Sequence, residues 1–198
     1  MDGTLIDSSK LLANTINYVR EQLGLSPLKN EIITKTINDT SINPARFFYE
    51  SEHFEKIHEK HFHAYYHQNH HKQTKLYEGI ETLLDKLSKT HHLSVATNAY
   101  DVSTAPLLEA LDIAKYFEIV VCANQVQKAK PHPMMLEKIV DFYKADKKSF
   151  LMIGDGERDI AAAHNAGIDA LLVDWGFSDH EDALNSVDEL GLKLGVRI

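Results

Sequence analysis

The chain has 198 residues, 43% hydrophobic and 25% charged, with 21 basic against 29 acidic side chains and a formal net charge of −8. This is the composition of an ordinary globular protein, one domain or one core carrying an insertion. Such an acidic balance repels nucleic-acid phosphates and anionic lipid, so neither is an expected partner, and a small phosphorylated substrate needs a locally positive pocket or a metal to enter.

The chain opens on Met1-Asp2-Gly3-Thr4-Leu5-Ile6-Asp7. Its acids, and the lack of a long apolar run, give no reason to expect a secretory leader, and no stretch is long enough to span a bilayer. Asp-Gly is a common turn: Gly3 permits a tight reversal and Thr4 can fix the loop. From residue 9 to about 72 the texture is helical. Leu11, Leu12, Ile16, Val19 and Leu23 repeat at helical spacing, and Gly24, Ser26 and Pro27 then break the helix. A second helical stretch is predicted from Pro44 to His71, with Phe47, Phe48, Phe54, Ile57, Phe62, Tyr65 and Tyr66 as its core. Nine of the 12 histidines lie between His53 and His92. His63 and His67 have the i, i+4 spacing of a metal pair, but no third ligand follows, and Glu55, Lys56, Glu59 and Lys60 mark a solvated face. Arg46 is the one cation of this segment that invites a substrate contact, with a surface arginine as the plainer reading.

From residue 76 short apolar strands alternate with helices. Helix 80–87 precedes strand 93–97, helix 105–111 precedes strand 117–122, helix 133–143 precedes strand 150–153, and helix 159–166 precedes strand 170–173. That alternation predicts an α/β fold: a parallel, Rossmann-like sheet with helices on both faces and its ligands at the carboxyl ends of the strands. The expected core is 1–8 with 73–198, and 9–72 is a helical cap inserted after the first motif. Cys122, the single cysteine, excludes an internal disulfide, reads as a small buried residue and suits a reducing cytosol.

The polar residues at the strand ends carry the chemistry. Thr97 and Asn98 supply a hydroxyl and backbone N–H groups suited to a phosphoryl oxygen. Pro131 restrains Lys130, giving a fixed positive charge; Lys128 lacks that restraint and reads as solvated, and His132 is expected to face solvent. Asp155 and Asp159, four residues apart after strand 150–153, suit a hard divalent cation such as Mg²⁺. Gly154 and Gly156 mimic the start of a dinucleotide loop, but Asp159 stands where the third glycine belongs and would repel a pyrophosphate.

Together these motifs resemble the haloacid-dehalogenase-like hydrolases over nearly the whole chain. The closer similarity is to phosphoglycolate-phosphatase-like members with a helical cap. Leu76-Tyr77-Glu78-Gly79-Ile80 resembles the family's entry into the core after the cap; Ala166-Gly167 and Trp175-Gly176-Phe177 resemble its later stretch. The resemblance implies an Mg²⁺-dependent phosphatase of a small phosphorylated metabolite, working through an aspartyl-phosphate. It makes Asp2 the general acid/base, with its backbone carbonyl on the metal. Gly3, Thr97, Asn98 and Lys130 are the phosphate-binding set, Asp155 a metal ligand, and Asp159 a metal-site acid acting through water or Lys130. The family's attacking aspartate falls one residue before Met1, so a truncated start is expected, and the central strand that precedes it would leave two unpaired sheet edges. A phosphomutase shares the acid/base, and a non-catalytic binder of phospho-ligands or a partner protein is the reading of the literal chain. Carbon–halogen cleavage leaves Asp2 and Asp155 without a purpose.

Overall fold

The computed structural model describes residues 1–37, 39, 41–175 and 182–198. It divides into two units, Met1–Asp7 with Lys75–Ile198, and Ser8–Thr74.

In the first unit, β1 (Ile6–Asp7) pairs antiparallel with β2 (Lys75–Leu76), two residues each and too short to carry a sequence pattern. Gly79, at φ +84°, turns the chain into α5 (Ile80–Leu87). Then come β3 (Ser94–Thr97), α6 (Asp101–Ala110), β4 (Ile119–Cys122), α7 (Met134–Tyr143), β5 (Leu151–Gly154), α8 (Glu157–Ala166), β6 (Asp169–Leu172) and α9 (Val187–Lys193). The predicted strands and their helices are present within a few residues; α9 was not predicted. Gly167, at φ +73°, ends α8.

The parallel strands form two pairs, β3 with β4 and β5 with β6, rather than one continuous ladder. Alternation of side chains shows that both pairs belong to one layer. Val95, Val120, Ile153 and Leu171 pack into a cluster with Ile80, Leu84, Leu107 and Leu190 of α5, α6 and α9. Ala96, Val121, Met152 and Ala170 pack into the opposite cluster with Met135, Ile139, Ala162 and Ala163 of α7 and α8. The layer therefore has helices on both faces, the α/β arrangement that the alternating pattern predicts. Among the described residues, neither β3 nor β5 has a second hydrogen-bonded strand.

The second unit is helical: α1 (Ser9–Gln22), α2 (Asn30–Thr36), α3 (Pro44–Tyr49) and α4 (Lys56–Gln73). Its core joins Ala13, Ile16, Val19, Ile33, Phe48 and Tyr49. Arg20, buried among them, donates to the carbonyls of Ser26 at 2.7 Å and Phe48 at 2.5 Å. The single helix predicted over 44–71 is corrected to two: Asn43 caps α3 through the Arg46 N–H, and Glu50, at φ 56°, stops it. Phe47, Phe54 and Ile57, expected in the core, are exposed.

The histidine segment also departs from a wholly solvated face. His58 and His70 are buried. His58 Nδ1 accepts the Glu55 N–H in a capping box, and His70 stacks on Tyr66. His63 and His67 lie with ring centroids 6.1 Å apart. Among the described residues, no three His, Cys, Asp or Glu side chains are grouped to hold a metal. Arg46 is exposed and paired with Glu52 at 3.6 Å. Cys122 is buried, and burial pushes its thiol up, as a structural cysteine requires.

Candidate active site

The residues singled out at the strand ends are drawn together by a chain of hydrogen bonds. Within the first seven residues the backbone folds tightly: the carbonyl of Met1 accepts the N–H groups of Thr4, Leu5 and Ile6, and the Gly3 N–H donates to Ile6 O at 2.9 Å. Gly3 sits at φ +75°, so its place here is to make the turn, and its N–H is already engaged. The turn sends Thr4 toward β5, where Thr4 Oγ1 donates to Asp155 Oδ1 at 2.7 Å. From the other side Trp175 Nε1 donates to the Thr4 carbonyl at 3.0 Å, and the Tyr77 N–H to Leu5 O at 3.1 Å.

Lys130 joins the next motifs. Its ammonium, buried, donates to the Ala96 carbonyl at the end of β3 (2.7 Å) and to Asp159 Oδ1 in the first turn of α8 (2.5 Å). Asn98 fixes the lysine's backbone by two reciprocal bonds: its amide nitrogen donates to Lys130 O at 3.0 Å, and its oxygen accepts the Lys130 N–H at 3.1 Å. Both polar ends of the Asn98 side chain are thus engaged in holding the backbone of Lys130. Thr97, buried beside it, accepts the Ala99 N–H on Oγ1 at 3.1 Å and keeps a hydroxyl proton to donate. The Lys130–Pro131 peptide is cis. His132 is half-buried rather than solvent-facing, its Nδ1 accepting the Met134 N–H at 3.4 Å, and Lys128 is exposed.

Gly154 allows the close approach of α8. A Cβ built there would stand 2.3 Å from the Asp159 Cβ, so only glycine leaves room for that carboxylate. Burial is the largest influence on Asp159 and opposes its ionisation, but the charge and hydrogen bond of Lys130, with the Asp155 N–H and the other lowering influences together, hold the carboxyl below the usual carboxylate range. Asp155 goes the other way: burial pushes it up, Asp159 adds to the rise, and the Thr4 hydroxyl offsets part of it.

Two oxygen-bearing acids remain for a cation. Asp155 is buried, its Oδ1 accepting the Thr4 hydroxyl, and the resemblance offers the backbone carbonyl of Asp2 beside it, which leaves the Asp2 carboxyl for proton transfer. Such oxygens suit a hard divalent ion that keeps several waters and takes one or two carboxylates plus substrate phosphate. Asp159 is bound to Lys130, one of the two partners that the resemblance implies for it. Sequence reasoning gave no role to the side chains of Trp175 and Tyr77: the partner of the Trp175 indole lies 171 residues away, and the Tyr77 ring meets Trp175 itself. Gly176 and Phe177 lie outside the described residues.

Comparison with known proteins gives a consistent picture. The sequence profile of the haloacid dehalogenase-like hydrolases matches residues 1–173. The chain is 30% identical over 196 residues to a phosphoglycolate phosphatase of Nitrosococcus oceani, covering 94% of this chain and 86% of that protein. The crystal structure of a predicted phosphoglycolate phosphatase from Haemophilus somnus superimposes with a TM-score of 0.78 at 26% identity, covering 89% of this chain and 84% of that one. A predicted phosphatase from Clostridium acetobutylicum shares the fold, with a TM-score of 0.85 at 24% identity over 98% of this chain and 94% of its own.

Proposed function

The chain belongs to the haloacid dehalogenase-like hydrolase family, and on that premise we propose that it is an Mg²⁺-dependent phosphatase of a small phosphorylated metabolite, of the phosphoglycolate or sugar-phosphate kind. The observation that carries this reading is the pair of hydrogen-bonded runs, Thr4 to Asp155 and Asp159 through Lys130 to Asn98, that meet at the end of β5 and the first turn of α8. We assign residues 1–8 and 73–198 to the hydrolase core and 9–72 to the cap.

The chemistry asks four things of these residues. In the pattern that this chain resembles, a carboxylate ahead of the Asp-Gly-Thr run would attack phosphorus while the ester P–O bond breaks. Asp2 gives its proton to the departing oxygen, so a neutral alcohol leaves. Water then attacks the acyl phosphate, Asp2 takes up its proton, inorganic phosphate departs, and the attacking carboxylate regains its charge. Lys130, with Thr97 as donor, balances negative charge on the transferring group. Asp2 and Asp155 would hold the divalent cation, which supplies further charge neutralisation at the phosphoryl oxygens when bound.

The test is release of inorganic phosphate by the full-length protein from 2-phosphoglycolate and a panel of sugar phosphates. Turnover with Mg²⁺ that EDTA abolishes is the expected result. If no ester is hydrolysed with any divalent cation, the proposal fails.

A further inference from the structure

The end of β3 grips Lys130 at both ends of its side chain. The Ala96 carbonyl accepts the ammonium at 2.7 Å. Further along the same strand end, the Asn98 amide takes the lysine's backbone: its nitrogen donates to Lys130 O at 3.0 Å, and its oxygen accepts the Lys130 N–H at 3.1 Å. A backbone N–H only donates and a carbonyl only accepts, so these two bonds fix which way round the amide sits. Asn98 stands exposed at the strand end, yet both polar ends of its side chain are turned to the chain. Its own place is secured by its neighbour: the Ala99 N–H rests on Thr97 Oγ1, and Ala99 O accepts the Ala123 N–H from the end of β4 at 3.1 Å. The loop that it holds is braced from α8 as well, where the Asn165 amide donates to Pro131 O at 3.1 Å.

Between the two grips lies Thr97. Its hydroxyl and the Lys130 ammonium are the groups assigned above to the transferring phosphoryl. A lysine stem is long and flexible, so its charge serves one fixed point only when the backbone that carries it is fixed to the same frame. Resting on the phosphatase reading above, we propose that Asn98 is a positioning residue: its side-chain amide sets the backbone of Lys130 against Thr97, so that hydroxyl and ammonium meet the phosphoryl group as one preorganised unit. Asn98 moves no proton and forms no covalent bond in this role. Its effect passes through Lys130, and it vanishes when the lysine's charge is gone.

The experiment is a double-mutant cycle in kcat/KM. The full-length parent, Asn98→Ala, Lys130→Met and the double variant are compared in Mg²⁺ on whichever ester of the panel above turns over fastest. Misplacing a catalytic group by about 1 Å costs up to about 10²-fold, so Asn98→Ala is expected to lose about 10-fold in the parent background. In the Lys130→Met background the same change is expected to cost under about 2-fold, because no ammonium is left to place. Losses of similar size in both backgrounds would mean that Asn98 meets the substrate itself or serves the fold alone, and would overturn the proposal, as would no loss in either. A parent that hydrolyses no ester removes the phosphatase reading, and the role of Asn98 with it. Should a variant not fold, a crystal structure of the parent with orthovanadate decides. An amide still bound to the Lys130 backbone, with Lys130 Nζ and Thr97 Oγ1 both on the vanadate, supports the role. An amide turned onto the vanadate, or an ammonium away from it, overturns it.

Discussion

Lys130 Nζ lies 2.5 Å from Asp159 Oδ1, and the two side chains keep only 6% and 12% of their exposure. The pair joins the loop after β4 to α8, and the same ammonium reaches back to Ala96 at the end of β3. Removing one partner of a buried pair leaves the other charge uncompensated, at a cost of about 3–5 kcal/mol. Asp159→Asn is therefore expected to lower the unfolding free energy by about 3 kcal/mol in urea titration at pH 7. Lys130→Met should cut phosphate release by at least about 10²-fold, the scale of losing a main charge-stabilising donor.

The pH dependence of this pair has a definite sign. The Asp159 carboxyl is held below its unfolded value, so it adds stability above the ordinary carboxylate range near about 3.9 and loses it as pH falls through its own lower value. Subtracting the Asp159→Asn stability curve from the parent's should leave a gap that is constant at neutral pH and closes only in strong acid. A gap that closes near neutrality would show that the aspartate is not held by the lysine.

Asp155 predicts the opposite slope. Its folded value is raised, so its contribution is fully present below the unfolded carboxylate range and is lost as pH rises through the raised value. Metal-free Asp155→Asn, which keeps an oxygen for Thr4, should be more stable than the metal-free parent at pH 7.5, by thermal melting. Adding Mg²⁺ should raise the parent's Tm and leave the variant's unchanged, because ligand that binds only the folded state stabilises it.

These contrasts show which parts of the site could be read from the residues alone. Thr97, Lys130 and Asp155 were legible because each follows a short apolar strand, and parallel sheets gather ligands at those ends. The division of labour among them was not. Asn98 has the chemistry of a phosphate donor, and only the fold reveals that its amide is engaged with Lys130. The resemblance leaves Asp159 acting through water or Lys130, and only the fold shows the lysine beside it. The β1–β2 ribbon is two residues per strand, below the length at which alternation means anything. Glu50 ended a helix that the aromatic run seemed to continue, because a left-handed residue at a helix end leaves no mark in hydrophobic periodicity.

Gly154 gives a steric prediction. Its missing Cβ makes the space that the Asp159 side chain fills at 2.3 Å. Gly154→Ala must push α8 away from β5 and break the bond to Lys130, so it should cost about 3 kcal/mol, the upper range of overpacking, and abolish turnover. Gly24→Ala is the control: at φ +74° it meets nothing within 4 Å, so it should cost only the roughly 1–2 kcal/mol of a left-handed alanine and leave kcat unchanged.

Arg20 supplies the corresponding test in the helical unit. Its buried guanidinium joins α1 to the Ser26 carbonyl and to the Phe48 carbonyl in the last turn of α3. The Phe48 carbonyl sits in the last turn of α3, where a helical partner is missing and a cation meets the negative end of the helix, and the Ser26 carbonyl lies in the loop after α1. Replacing it by leucine keeps an apolar stem but strands the buried Phe48 oxygen, a loss of roughly 3 kcal/mol. Because the contacts lie inside residues 8–74, amide exchange should accelerate in α1, α3 and α4 by about 100-fold, that loss converted at 1.4 kcal/mol per decade. Strands β3–β6 should keep their protection, so uniform acceleration across the chain would show that the helical unit does not open on its own.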